Sequence, residues 1–220
     1  MTDKIIAYHF LRDDMRSGSG NEPAWTVGES RSLKGGRITP CERGYHASPS
    51  LFNALAHAPG SMACMVELSG TVKPHGDPLD KYAARSRRLI AAVNIEYELR
   101  MFAADCAEHV LYLFERDYPN DNRPRKAIEA ARAFANGEID ALARAAAWDA
   151  ARAAAWGAVG AAAWAAARAA AWDAAGGAVG AAAWDAARAA AWDAAGGAER
   201  GWQRATFDSW ALHVFDGVAP

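Results

Sequence analysis

The 220-residue chain lacks the features that would name a chemistry outright. Its three cysteines, Cys41, Cys64 and Cys106, show no CxxC spacing and cannot all pair, which excludes a zinc ribbon and suits a reducing compartment. The six histidines, at 9, 46, 57, 75, 109 and 213, never stand as HxxxH or HExxH, so no metal site and no cofactor is expected. P-loop, GxGxxG and GxSxG motifs are missing as well. Neither sign of charge is in excess: 24 basic residues against 26 acidic ones give a net charge of -2. That excludes a globally basic nucleic-acid binder and an acidic DNA mimic, leaving only local basic faces. No long uninterrupted apolar run is present, and the start, MTDKIIAYHF, has neither the basic segment nor the apolar stretch of a signal peptide. A soluble cytoplasmic protein with no membrane partner is the expectation.

Large aliphatic residues are scarce in one stretch. Between Ala141 and Arg200, 34 of 60 residues are alanine and six are tryptophan, so an ordinary Leu/Ile/Val core is not to be had there. The preceding half is different. IIAYHFL (Ile5 to Leu11) reads as a strand running into the flexible SGSGNEP, and WTVGESRSLKGGRI reads as a polar hairpin. RGYHASPS then leads into LFNALAHA, with Ser48 as N-cap and Pro49 at the first helical position, and Pro59-Gly60 ends that helix. Ser61 to Val72 reads as a buried strand and KPHGDPLDKYAARSRR as a polar loop.

From Ser86 the spacing of Leu89, Ala92, Val93, Leu99, Phe102, Cys106, Val110 and Phe114 predicts a helix. A second, opened by Pro124, carries Ile128, Ala131, Ala135, Ile139 and Leu142 and is interrupted at Asn136-Gly137. The expected class is α+β: a small mixed sheet with helices over 1–85, a helical pair over 86–140, Ala/Trp/Gly repeats over 141–200 and a closing segment over 201–220.

The alanine tract is an internal repeat. AAAWDAARAAAWGAVG (145–160), AAAWAAARAAAWDAAGGAVG (161–180) and AAAWDAARAAAWDAAGGAER (181–200) share a tetrad quantum, and the last two units are 20 residues long. At about 100° per residue, a period of four moves the face by roughly 40°. Trp148, Arg152 and Trp156 therefore share one arc, as do Trp164, Arg168, Trp172 and Trp184, Arg188, Trp192. Each glycine costs about 1 kcal/mol relative to alanine in a helix, so the breaks should fall at the glycines and give short packed helices. The indoles then either fill the interior with Arg laid across them, or present a stacking platform for bases or an adenine ring. Self-assembly into a homo-oligomer is a third use for such faces. The run Arg85, Arg87, Arg88 offers contacts for an acidic partner or a nucleic acid, although charge runs are commonly just solvated faces.

Two resemblances add to these observations. The order of a strand with His9, a Gly-Tyr-His-Ala-Ser element opening a helix, and a strand with Val66-Glu67 resembles the core of ADP-ribosyltransferases of the His-Tyr-Glu type over Ile5 to Gly70. That resemblance implies NAD as cofactor, with His9 binding its ribose, Tyr45 stacking on nicotinamide and Glu67 stabilising the oxocarbenium-like centre, while His46 would serve binding. CAEHVLYLFERDYPNDNRPRKAIEAARAFANGEI (Cys106 to Ile139) is similar to the all-helical immunity proteins of bacterial toxin systems, and the whole arrangement looks like phage and prophage proteins with Ala/Trp-rich tails. Immunity proteins act by binding, so the implied partner is a protein whose working surface is blocked. The leading expectation is an immunity-like or anti-defence binding protein in the host cytoplasm that takes a protein or nucleotide partner. An NAD-dependent transferase and a self-assembling structural protein are the alternatives.

Overall fold

The structure is a computed structural model and describes residues 4–147 and 197–217. Two compact units make up the chain: Met1–Ile95 together with Thr206–Pro220, and Glu96–Ala205. The α+β class is seen directly. The repeats from Trp148 to Trp192 lie outside the described residues.

The first unit is built on five strands: β1 (Ile5–Leu11), β2 (Ser30–Ser32), β3 (Tyr45–Ala47), β4 (Met62–His75) and β5 (Lys81–Asn94). They run β1-β4-β5-β2, with β3 pairing β5 beside β2. Every one of these pairings is antiparallel, so the expected mixed sheet is corrected to an antiparallel one. β4 and β5 dominate, each 14 residues long. The segment taken as a polar loop is therefore mostly strand, and only residues 76–80 turn.

The helix expected from Ser86 is likewise a strand as far as Asn94. Its inward positions include Ala84 and Leu89, but also Arg87, and a cation in an inward position breaks the alternation by which a half-buried strand is recognised. Trp25 to Ile38 forms no hairpin of its own; β2 pairs with β5 instead, Ser30 opposite Arg88.

Helix α1 (Leu51–Leu55) begins two residues later than the Ser48-Pro49 reading. Its N-cap is Ser50, whose hydroxyl accepts from the Asn53 N–H, while Ser48 pairs with Tyr8 of β1 by two backbone hydrogen bonds. One face of the sheet packs Ala7, Leu11, Trp25, Tyr45, Cys64, Val66, Leu68 and Leu89 into a single cluster. The chain's end completes this unit: Phe207 lies against Phe52 at 6.3 Å, Phe215 against Tyr8 at 6.0 Å, and Asp208 accepts from the Phe52 N–H at 2.9 Å.

In the second unit, α2 (Glu96–Asp117) and α3 (Arg123–Ala135) form the expected helical pair, with Pro124 in the first turn of α3 and Asn136-Gly137 at its end. Ala104, Ala107 and Leu111 of α2 meet Ile128 and Ala131 of α3. The small residues permit close axes, as in ridge-and-groove packing. Residues 141–147 are helical as well. The closing segment is helical too: α4 (Gly197–Val214) starts in the second unit and ends in the first. Among the described residues no helix is long and apolar enough to cross a membrane.

Leu89→Ala, which empties a position 1% exposed in the sheet cluster, should cost about 2 to 5 kcal/mol in urea unfolding. Ile6→Ala on the exposed side of β1 should change stability by less than about 0.5 kcal/mol. Equal effects would contradict the assigned faces.

Candidate functional site

A cavity of about 720 Å³ opens in the first unit, a size typical of small-molecule sites. β1 supplies Tyr8 and His9, β3 supplies Tyr45 and His46, β5 supplies Lys81 and Arg87, and the loops add Glu22, Cys41 and His57. The approach of β3 to β5 depends on Gly44: a Cβ there would come within 2.9 Å of the Ala83 Cβ and 3.3 Å of the Ala84 nitrogen.

Arg87 is the electrostatic centre. Its side chain is 3% exposed, its Nη1 donates to the His46 carbonyl at 3.2 Å, and its guanidinium lies 4.4 Å from the Trp25 ring and 5.2 Å from Tyr45. Burial lowers its pKa to about 10, and Glu22 partly offsets that effect, so it remains a cation at neutral pH. Trp25 also carries Arg31 at 4.0 Å, itself held by Glu29 at 2.7 Å. Such cation-π contacts strengthen when desolvated.

Three imidazoles line the same cavity. His9 is driven well below the usual imidazole range, first by burial and then by Arg87, His46 and His57. Its Nε2 is enclosed and has no hydrogen-bond partner among the described residues. His46 and His57 are lowered first by burial and then by Lys81, with Arg87 adding to the effect at His46. The Cys41 N–H donates to Nε2 of His46 at 3.1 Å. Tyr45 is raised, first by burial and then by Glu22.

At the rim, Cys41 has a left-handed backbone with φ 66°, and its Sγ lies 3.7 Å from Nε2 of His75. Nδ1 of His75 is in turn 3.3 Å from the Asp80 carboxylate. The turn that brings Asp80 back requires Gly76: its φ is 92°, and a Cβ would sit 2.5 Å from Oδ1 of Asp80. A thiol, an imidazole and a carboxylate thus form an exposed relay, the arrangement by which a base and its orienter act on a nucleophile.

Four expected residues line this cavity: His9, Tyr45, His46 and Arg87. Glu67 does not. It pairs in register with Ile6, whereas His9 is opposite Cys64, so pleating sends Glu67 to the other face of the sheet, where Lys4 donates to it at 3.1 Å. The His9, Tyr45 and Glu67 trio implied by the transferase resemblance is not brought together. Arg85, Arg87 and Arg88 form no common basic face either: Arg85 donates to the Leu33, Gly35 and Gly36 carbonyls, Arg87 is buried and Arg88 is exposed. The ladders Trp148, Arg152, Trp156, Trp164, Arg168, Trp172, Trp184, Arg188 and Trp192 lie outside the described residues.

Glu22, His57, Lys81 and the Cys41–His75–Asp80 relay were not singled out from sequence. A spacing of 34 residues between Cys41 and His75 carries no motif, and only the paired course of β4 and β5 closes it.

The described residues of the second unit present a surface of paired charges. Arg132 bridges Asp105 and Glu108 at 2.6 Å each, which lowers the Glu108 pKa, and Arg125 pairs with Glu115 at 2.7 Å, tying α3 to α2. Arg100 and Arg144 lie 4.6 and 3.9 Å from the Phe134 ring. Trp202 stacks on His109 with ring centroids 3.9 Å apart. Tyr112 and Leu142 stand out to solvent, 62% and 79% exposed.

Residues 94–209 match the family described as Imm-5 like putative immunity protein, and residues 5–101 match a domain family of unknown function. The two matches overlap over residues 94–101, which contain the division between the compact units at Ile95 and Glu96. No curated protein and no solved structure gives a match.

Cys41 is exposed while Cys64 and Cys106 are buried, and burial pushes the Cys64 thiol up to about 12. Alkylation of the folded chain should therefore modify one thiol, mapped to Cys41 by mass spectrometry, and His75→Ala should slow that reaction several-fold at neutral pH. Modification of several thiols at equal rates would contradict the burial. The depressed imidazoles set a second expectation. Unfolding frees His9, His46 and His57 to take up protons near their ordinary value of 6.5, so stability is retained above that pH and lost as pH falls through and below it. The urea midpoint should drop between about pH 7 and about pH 5, and drop less in His9→Gln; a flat profile in the parent chain would contradict the burial of these rings.

Proposed function

Because the chain belongs to the Imm-5 like putative immunity protein family, we propose that it binds a protein partner of the kind an immunity protein neutralises, acting by covering that partner's working surface. The match over residues 94–209, more than half of the chain, carries this reading. The helical unit suits it physically. The Arg132 bridges to Asp105 and Glu108 and the Arg125 pair with Glu115 fix α3 on α2, which keeps the surface rigid and reduces the ordering cost of association. Tyr112 on α2 and Leu142 beyond α3 offer apolar area at low desolvation cost, and tyrosine is among the residues that most often anchor interfaces.

Growth rescue tests this directly: the full chain is co-expressed with a panel of bacterial toxin domains, each lethal alone. At least one should be neutralised and should co-purify in a fixed ratio with the chain. Tyr112→Ala with Leu142→Ala should weaken that complex at least tenfold while the melting temperature stays within about 2 °C, since both side chains are exposed. No rescue and no complex across the panel would overturn the proposal.

A further inference from the structure

We propose that the cavity of the first unit is a binding site for a small organic anion, with its phosphate or carboxylate set against Arg87 and Lys81 and a polar atom of its body on Nε2 of His9. This goes beyond the partner-binding role and does not rest on it, because every residue concerned belongs to the other unit.

Three observations converge on an anion. First, Arg87 is a cation at 3% exposure with one hydrogen bond, to the His46 carbonyl, and among the described residues no carboxylate closes an ion pair with it. A buried charge is stabilised chiefly by pairing, and a guanidinium fork suits a planar or tetrahedral oxyanion. Second, the enclosed Nε2 of His9 lacks a partner in a cavity wall, where a buried polar atom ordinarily has one. It can donate or accept according to tautomer.

Third, cations act on every imidazole of the cavity. Cations contribute to lowering all three imidazoles: Arg87 at His9 and His46, and Lys81 at His46 and His57. The carboxylate that acts on Arg87, Glu22, is already engaged by the Ser17 hydroxyl at 3.2 Å and lies 3.8 Å from Arg31. The remaining charged groups are Glu42 and Arg43 in the lining, and Asp80, which opposes Lys81 at His57. Arg43 is turned to the Lys34 carbonyl at 2.9 Å. Tyr8 and Tyr45 supply aromatic wall for the body of the ligand.

The test follows the histidine side-chain resonances of the full chain by NMR during titration with inorganic phosphate, with citrate and with uncharged glucose. Saturable shifts at His9 and His46 with phosphate alone would assign a phosphate ligand, and with citrate alone a carboxylate ligand; shifts with both would leave the anion subsite assigned to either head group. Glucose should move neither residue. Lys81→Gln should weaken anion binding about tenfold, as expected for removal of one charged hydrogen-bond donor, with the melting temperature unchanged. Arg87→Gln should abolish binding, and Lys81→Gln keeps the proposal testable if that variant fails to fold. No saturation by either anion, an equal response to glucose, or unaltered binding in Lys81→Gln would overturn the proposal.

Discussion

A guanidinium laid on two aromatic rings inside a sheet is the contact on which the first unit depends. Arg87 reaches the core position of β5 only because Trp25 and Tyr45 accept its charge on their faces and the His46 carbonyl takes one of its hydrogens. The partners come from two parts of the chain. Trp25 arrives on the loop before β2, while Tyr45 and His46 arrive on β3, so the same cation draws both segments onto one strand. An aliphatic residue at that position would fill the space and leave nothing to orient the loop or the strand. The geometry also explains the cavity's chemistry: burial lowers the neighbouring imidazoles, and the charge that organises the wall lowers them further.

That arrangement also marks where the sequence could be read and where it could not. β1 was legible because IIAYHFL is short, apolar and followed by a glycine-rich loop. α2 and α3 were legible because their apolar residues recur at helical spacing and Pro124 and Gly137 punctuate them. β5 was hidden, since Ala-Arg-Ser-Arg-Arg carries charge where the pleat turns inward, and its alanines read equally well as helix. His9, Tyr45, His46 and Arg87 were picked out and do share a cavity. Local context points to Glu67, and register alone decides its face: one residue along β4 separates the packed cluster from the opposite face, where Glu67 is half-buried beside Lys4. The Cys41 relay was beyond reach, because its members meet only through a long antiparallel pair and a glycine turn.

The two units meet different physical requirements. In the first, polar groups are drawn inward and kept there by aromatic faces and backbone carbonyls, which is costly unless something occupies the space they line. In the second, charges lie across the junction of two helices with small-residue contacts beneath, and the larger apolar side chains Tyr112 and Leu142 are left outside. The first kind of construction suits recognition of something small, and the second suits recognition of a surface.

The position of the chain's end has a consequence for how the molecule is made. Phe207, Asp208 and Phe215 close over Phe52 and Tyr8, yet they are separated from the sheet by the whole of Glu96–Ala205. On a ribosome adding about 5 to 20 residues per second, the five strands emerge several seconds before the residues that cover them. During that interval the nascent sheet carries Phe52 and the ring of Tyr8 before Phe207, Asp208 and Phe215 have reached them. The sheet, though made before the helical unit, is therefore completed only after it, and any premature stop in the alanine tract would release the sheet in that unfinished state.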